Sequence, residues 1–147
     1  NLVLAIYTNE LLSRLLPEGE KHQKVFDGYW NYLGKINKQS DTEKEYSLRL
    51  FENLLLGELG YGLEFNKDSS GSPIDCDLEY EFQEHKGFVI NADGKIPGEA
   101  LLVVDDSGGN DCLSVDHLAI LKKINRKRLS SILGEKPLKS RELFFVN

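Results

Sequence analysis

Leu4, Tyr7, Leu11 and Leu15 recur at intervals of three and four residues, the spacing of one helical face, and Pro17 with Gly19 ends the run. The same step returns in Val25, Phe26, Tyr29, Trp30, Leu33 and Ile36, which predicts a second helix packed antiparallel on the first after a short loop. Ser40 with Glu43, and Thr42 with Glu45, both have the spacing of a capping box, in which hydroxyl and carboxylate satisfy orphan N–H groups. The helix they open carries Leu48, Phe51, Leu55 and Leu59 on one stripe, and Leu50, Leu54 and Leu56 widen it beyond half the circumference. A helix this apolar belongs at the centre, with neighbours on two sides. Gly60 and Gly62 stop it, since glycine accepts the left-handed conformation on which helices end.

Beyond that point the period falls to two. "NKDSSGSP" is loop chemistry, "LEYEFQ" alternates Leu78, Tyr80 and Phe82 with polar side chains, and "GFVINA" follows after "EHK". A two-stranded hairpin is predicted. "PGEALLVVDD" reads as a short helix from Pro97, followed by a loose "SGGNDC". Ser114 or Asp116 then caps a last helix with Leu118, Leu121, Leu129 and Ile132 on its apolar stripe, ended by Gly134. The expected fold is mainly α: a helical bundle over 1–62 and 97–147, with a small β insertion over 63–96.

Composition narrows the class. The 147 residues are 40% hydrophobic and 29% charged, as befits one folded domain with a real core. No apolar run is long enough to span a bilayer, so no membrane role is expected. Two cysteines, Cys76 and Cys112, fit a reducing cytoplasm better than a disulfide scaffold, and neither has basic or His neighbours that would mark a reactive thiolate. The chain starts at Asn1 inside an apolar pattern and contains no Met, which reads as a piece of a longer protein. Charge is unevenly spread. Net charge is −6, yet His117 to Arg141 holds eight Lys/Arg and one acid (Glu135), a local +7 against −13 for the rest. An acidic body with one basic end suits an acidic peptide or a nucleic-acid backbone that touches that end only.

The residue pattern offers no catalytic constellation. His22, His85 and His117 stand apart, without a second ligand at metal spacing, and read as surface or capping residues. "DSSGS" lacks the strand–Ser–helix setting of a nucleophile elbow, and the glycines of "GELGYG" follow a helix with no phosphate-loop Lys. Alternation gathers Asp75, Asp77, Glu79 and Glu81 on the solvent face of a strand, which leaves a hard-cation site, and hence a metal-dependent enzyme, as the alternative from another class. A stand-alone DNA-binding regulator is the second alternative, disfavoured because no compact helix-turn-helix with a basic recognition helix is evident.

Three motifs carry a family resemblance: "YTNELLSRLLP", "RLFENLLLGELGYGLEF" and "LGEKPLKSRELF", in this order, with "EYEFQEHKGFV" between the last two. Together, from about Ile6 to Phe144, the chain resembles the C-terminal region of RecO, the bacterial recombination mediator and annealing protein. The family's N-terminal OB-fold would precede Asn1. The resemblance implies a non-enzymatic protein of the cytoplasm and nucleoid. It implies binding of single- and double-stranded DNA, largely through the OB-fold, and annealing of strands coated by the single-stranded DNA-binding protein (SSB). It further implies cooperation with RecR in loading RecA, and recognition of the acidic, Phe-ended SSB tail by the helical region. Some members carry a four-cysteine zinc finger in the β insertion. Here "LEFNKDSSGSPIDC" retains only Cys76, so the insertion is expected to be a metal-free hairpin held by Leu78, Tyr80, Phe82, Phe88 and Ile90, and no cofactor is expected.

Helical geometry then sorts the basic residues. Lys122 and Arg126 lie beside the stripe of Leu118, Leu121 and Leu129, whereas Lys123 and Lys127 point to the opposite side. With the family in mind, Arg49, Lys122 and Arg126 are expected to rim an SSB-tail groove whose floor includes Leu118 and Leu121. Lys123, Lys127, Arg128, Lys136 and Lys139 are candidates for DNA phosphate. Asn125 falls in the stripe and needs a hydrogen-bond partner. Glu52 falls inside the apolar arc of the central helix and must be paired or protonated, with Arg141 one candidate partner. In that case "KPLKSREL" is partly a clamp.

Overall fold

The computed structural model describes residues 1–106 and 113–145; the expected loose loop "SGGNDC", with Cys112, lies outside the described residues. The element order is α1 (Leu2–Leu15), α2 (Gln23–Lys35), α3 (Asp41–Glu58), β1 (Glu79–Gln83), β2 (Gly87–Ile90), β3 (Ile96–Pro97), α4 (Gly98–Asp106), α5 (Val115–Leu133) and a C-terminal 3-10 helix (Lys139–Phe145). The mainly helical class with a small β insertion is what the sequence pattern predicts.

Local signals fix the ends. Of the two capping boxes, Ser40–Glu43 forms: the Glu43 N–H donates to Ser40 Oγ, and the Ser40 N–H donates to Glu43 Oε2 at 2.7 Å. Those bonds hold the Glu43 carboxyl below its ordinary range. Thr42 lies inside the helix that this box opens. Ser114 rather than Asp116 caps α5, with Ser114 Oγ accepting from the His117 N–H at 3.2 Å. Gly134 closes α5 at φ +67. Two apolar clusters result. The first joins α1, α2, α3, Leu129 of α5 and Leu138. The second joins the sheet, α4, Tyr46 and the Leu118–Ile124 part of α5. α3 and α5 contribute to both and form the spine of the molecule.

Three expectations need correction here. On α2 the buried residues are Val25 and Tyr32, with Ile36 just beyond, while Phe26 and Trp30 are 47% and 69% exposed. The stripe is therefore rotated from the one predicted. The helix sits close to α3 because residue 28 is glycine, where a Cβ would collide with Leu54. In the hairpin, Tyr80, Phe82 and Phe88 are buried, whereas Leu78, which precedes β1, and Ile90, the last residue of β2, are exposed. Finally β1 is central: β2 pairs on one side and the two-residue β3, absent from the predicted hairpin, on the other.

The insertion holds itself by hydrogen bonds. Asp68 Oδ1 accepts from the Ser70 N–H (2.9 Å), the Ser70 hydroxyl (2.6 Å) and the Ser72 N–H (3.0 Å), and Lys67 bridges to Pro73. These donors, the Ser70 hydroxyl first among them, hold the Asp68 carboxyl below its ordinary range. One aspartate and its serines thus order this loop.

Candidate functional site

The centre of the molecule is polar. Glu52, fully buried on α3, accepts from Arg49 Nη1 on both oxygens (2.8 Å each), from the Tyr7 hydroxyl (2.7 Å) and from Asn125 Nδ2 (3.0 Å). α1, α3 and α5 meet at this one carboxylate. A buried carboxylate needs such company, because its desolvation is repaid only by charge and several hydrogen bonds together. Burial and the neighbouring carboxylate push the Tyr7 hydroxyl far above the ordinary tyrosine range, so it stays a donor. The required partner of Glu52 exists, but it is Arg49 and not Arg141. Three residues apart on one helix, Arg49 and Glu52 are neighbours by geometry, and Arg141 makes no bond to Glu52.

Above this network lies a cavity of about 410 Å³, lined by Tyr7, Glu45, Leu48, Arg49, Lys122, Arg126, Arg141 and Phe144. Here Arg49, Lys122 and Arg126, expected to rim a groove, do converge. Leu118 and Leu121 do not join them: both are buried in the second apolar cluster against the sheet side, so the apolar walls are Leu48, Tyr7 and Phe144 instead. Arg49 is also less available than expected. It is 4% exposed, and Nε and Nη2 donate to Glu45 Oε1 at 3.0 and 2.8 Å. Burial alone would lower its pKa, but Glu52 and Glu45 outweigh that and raise it. Lys122, Arg126 and Arg141 make no ion pair among the described residues.

The wall that carries Arg141 and Phe144 is pinned by α1. Arg14, near the end of that helix, donates to the carbonyls of Lys136 (2.6 Å), Pro137 (3.1 Å) and Leu133 (3.4 Å). Glu10, one turn earlier, accepts from the backbone N–H groups of Lys139 and Ser140, both at 2.9 Å. Burial pushes the Glu10 carboxyl up, but the bonds from Ser140 and Lys139 prevail and hold it below its ordinary range. "KPLKSREL" is thus clamped, as expected of it in part, but through residues of "YTNELLSRLLP".

Comparison with known proteins places this architecture. A family model described as "Recombination protein O C terminal" matches residues 1–142. The chain belongs to the RecO family. It is 37% identical over 143 residues to the DNA repair protein RecO of Pseudoalteromonas translucida, with 97% of this chain and 61% of that protein aligned. The DNA repair proteins RecO of Yersinia enterocolitica and Proteus mirabilis are also 37% identical, over 147 and 144 residues, aligning 97% of this chain with 59% and 58% of theirs. The chain therefore spans less than two thirds of the length of these relatives.

Within this RecO domain the expected phosphate contacts separate into three groups. Arg128 is structural: it is 8% exposed, Nη1 donates to Asn53 Oδ1 (2.8 Å) and Asn125 Oδ1 (3.3 Å), and Nη2 donates to the Tyr61 carbonyl (2.6 Å). Burial pulls its pKa down to about 10. It ties the loop after α3 to α5 and is not available to phosphate. Lys123 and Lys127 are exposed and share a second cavity of about 320 Å³ against the sheet, with Lys95, Glu81 and Asp93 beside them; Lys127 Nζ reaches the Phe82 carbonyl at 3.5 Å. Lys136 and Lys139 are exposed next to the clamp. Asn125 receives the partners it needed, Glu52 and Arg128.

The acids of the alternative enzyme reading do not assemble as predicted. Glu79 and Glu81 lie on β1, whereas Asp75 and Asp77 precede it in a turn where the Asp77 N–H donates to Asp75 Oδ1. Asp75, Cys76 and Asp77 bring ligand atoms within 4.8 Å of one another, all exposed. No helix among the described residues is long and apolar enough to cross a membrane.

Proposed function

We propose that this chain is the helical module of a recombination mediator that acts in DNA repair, and that its aromatic-walled cationic cavity receives the acidic, Phe-ended tail of SSB. Support comes chiefly from one observation: Lys122, Arg126 and Arg141 converge without acid partners on a cavity whose walls are Tyr7, Leu48 and Phe144. A terminal aromatic ring needs apolar walls, and a terminal carboxylate with preceding acids needs cations at the edge. Names of relatives, DNA repair protein RecO, favour the same setting. By this reading the chain is an adaptor without catalysis. It supports strand annealing and RecA loading together with RecR, in the cytoplasm at the nucleoid, while DNA is held mainly by an OB-fold elsewhere in the protein. Lys123 and Lys127, with Lys136 and Lys139, add a modest phosphate-attracting face. Titrating a fluorescent SSB-tail peptide into the 147-residue chain tests the tail site. Saturable binding that disappears when the terminal Phe is removed, even at low salt, is the expected result. Equal binding of the shortened peptide would reduce the attraction to diffuse charge and sink the cavity as its seat.

A further inference from the structure

β1 is bonded on both sides along only part of its length. Its backbone groups alternate in direction, as in any antiparallel ladder. Those of Glu79, Glu81 and Gln83 face β2, where the Asn91 N–H donates to the Glu79 carbonyl at 3.0 Å. Those of Leu78, Tyr80 and Phe82 face the other way, where the Gly98 N–H donates to the Leu78 carbonyl at 2.8 Å and Tyr80 pairs with Ile96. There the pairing stops. β3 has two residues, and the chain before it turns at Gly94, whose N–H is held by the Asn91 carbonyl at 2.8 Å. Among the described residues no strand pairs with Phe82 on that side. What sits on the Phe82 carbonyl is the ammonium of Lys127, exposed on α5, at 3.5 Å. A lysine is a common guard for a bare strand edge, and at that distance this one holds loosely.

Two cavities meet at the guarded residue. Phe82 lines both the cavity of about 320 Å³ beside Lys123 and a further one of about 270 Å³ towards the hairpin turn. α5 walls both, from Ile120 to Ile132, which is ~18 Å of helix and the span of about five residues of extended chain. Half-buried Ile120 offers an apolar seat in the first, and half-buried Leu63 and Ile132 offer one in the second. Lys95 and Lys123 make no ion pair among the described residues. Glu81 and Asp93 stand beside them, and Glu84 lines the second cavity. The groove itself therefore repels a polyanion but accommodates a single carboxylate.

We propose that the open edge of β1 takes an extended peptide as an added strand between the sheet and α5, with Lys127 as its displaceable cover. The occupant has alternating apolar and uncharged polar residues, with one acid at the Lys95–Lys123 end. Backbone pairing to Phe82 orients it, and the apolar seats select its side chains. This site shares no lining residue with the cavity of Arg126, and it needs neither a chain terminus nor an aromatic ring.

The test uses two peptides capped at both ends, Val-Thr-Val-Thr-Asp and Asp-Thr-Val-Thr-Val, which cover both strand directions. Each is titrated into the nitrogen-15-labelled chain and followed by NMR, with melting curves to show that each variant folds. One of the two should bind saturably and move the Phe82 amide resonance most. Methylating alternate backbone nitrogens of that peptide, in the two possible registers, should abolish binding in one register and spare it in the other. Lys127→Ala should tighten binding about three- to tenfold, since nothing then competes for the Phe82 carbonyl. Simple attraction of the acid predicts the opposite sign. Ile120→Asp should weaken binding by removing the apolar seat. Failure of both peptides to bind overturns the proposal, as do equal effects of the two methylation registers or weaker binding by Lys127→Ala. Self-association that strengthens in Lys127→Ala, without peptide binding, would make a second copy the occupant and likewise overturn it.

Discussion

α5 carries two pairs of basic residues one position apart, and they live in different surroundings. Lys122 and Arg126 look into the cavity with Tyr7, Leu48 and Phe144, where Arg141 joins them and the nearby acids are already bound by Arg49. Lys123 and Lys127 look across the sheet, where Glu81 and Asp93 stand in the same groove and a main-chain carbonyl takes Lys127. The sequence offers both pairs the same charge. What separates them is the neighbourhood: one pair has surplus positive charge beside aromatic walls, the other a near balance. Positive charge alone marks where an anion is attracted. Unpaired positive charge beside an apolar wall marks what kind of anion can stay.

The largest expected effect comes from a residue that lines the first cavity and does not belong to its ligand machinery. Arg49→Ala strands Glu52 in the interior, and breaking a buried pair costs roughly 3–5 kcal/mol. Chemical denaturation midpoints should report that loss. A negligible shift would mean that Arg49 is dispensable to the core and free for ligand, which would erase its separation from Arg126.

Next in size is the direct contrast between the two faces. Arg126→Ala should weaken tail peptide by about ten- to a hundredfold, the worth of one charge-assisted hydrogen bond. Lys127→Ala, one residue further on, should change peptide affinity about threefold at most, as an exposed charge does. Isothermal titration on both variants decides. Equal losses would show that the two neighbourhoods do not matter and that attraction is a property of the helix as a whole.

Smallest is the effect on nucleic acid. This acidic chain should hold single-stranded DNA weakly and lose it steeply with salt, and Lys127→Ala should lower the log–log salt slope by about 0.7, one phosphate contact. Arg126→Ala should leave that slope unchanged. Tight, salt-resistant binding by this chain would instead place the main DNA site within it.

Legibility followed the range of the interactions. The Ser40–Glu43 box, the stop at Gly134 and the alternation of Tyr80 and Phe82 are set by residues within a few positions, and each can be read from the pattern. Glu52 was legible as a buried acid in need of a partner. Its partner is equally local, since Arg49 is three residues back on the same helix, but Arg49 borders the apolar arc, where helical phase alone does not tell a core pair from a ligand-facing cation. Arg128 shows the limit of periodicity: helical phase gives a direction, and the Asn53 side chain and Tyr61 carbonyl that absorb it come from another part of the chain. For Trp30 the apolar spacing held while its face did not, because the glycine at position 28 set which side of α2 approaches α3. The Arg14 and Glu10 contacts had no local signal at all. Their partners are carbonyls and N–H groups, which every residue possesses.

Those contacts at α1 also set an order of events during synthesis. Arg14 and Glu10 reach backbone groups 119 to 130 residues further along the chain. Contacts closing so long a loop form late, since the entropy of closure precedes any gain from the contact. While a ribosome is still producing the last helices, α1 to α3 can already pack, and the Arg49–Glu52 pair can already close within α3. The wall bearing Arg141 and Phe144 has to wait for release of its own residues from the exit tunnel. A nascent chain thus assembles its first three helices before its cavity, which closes only after the segment from Leu133 to Phe144 has emerged.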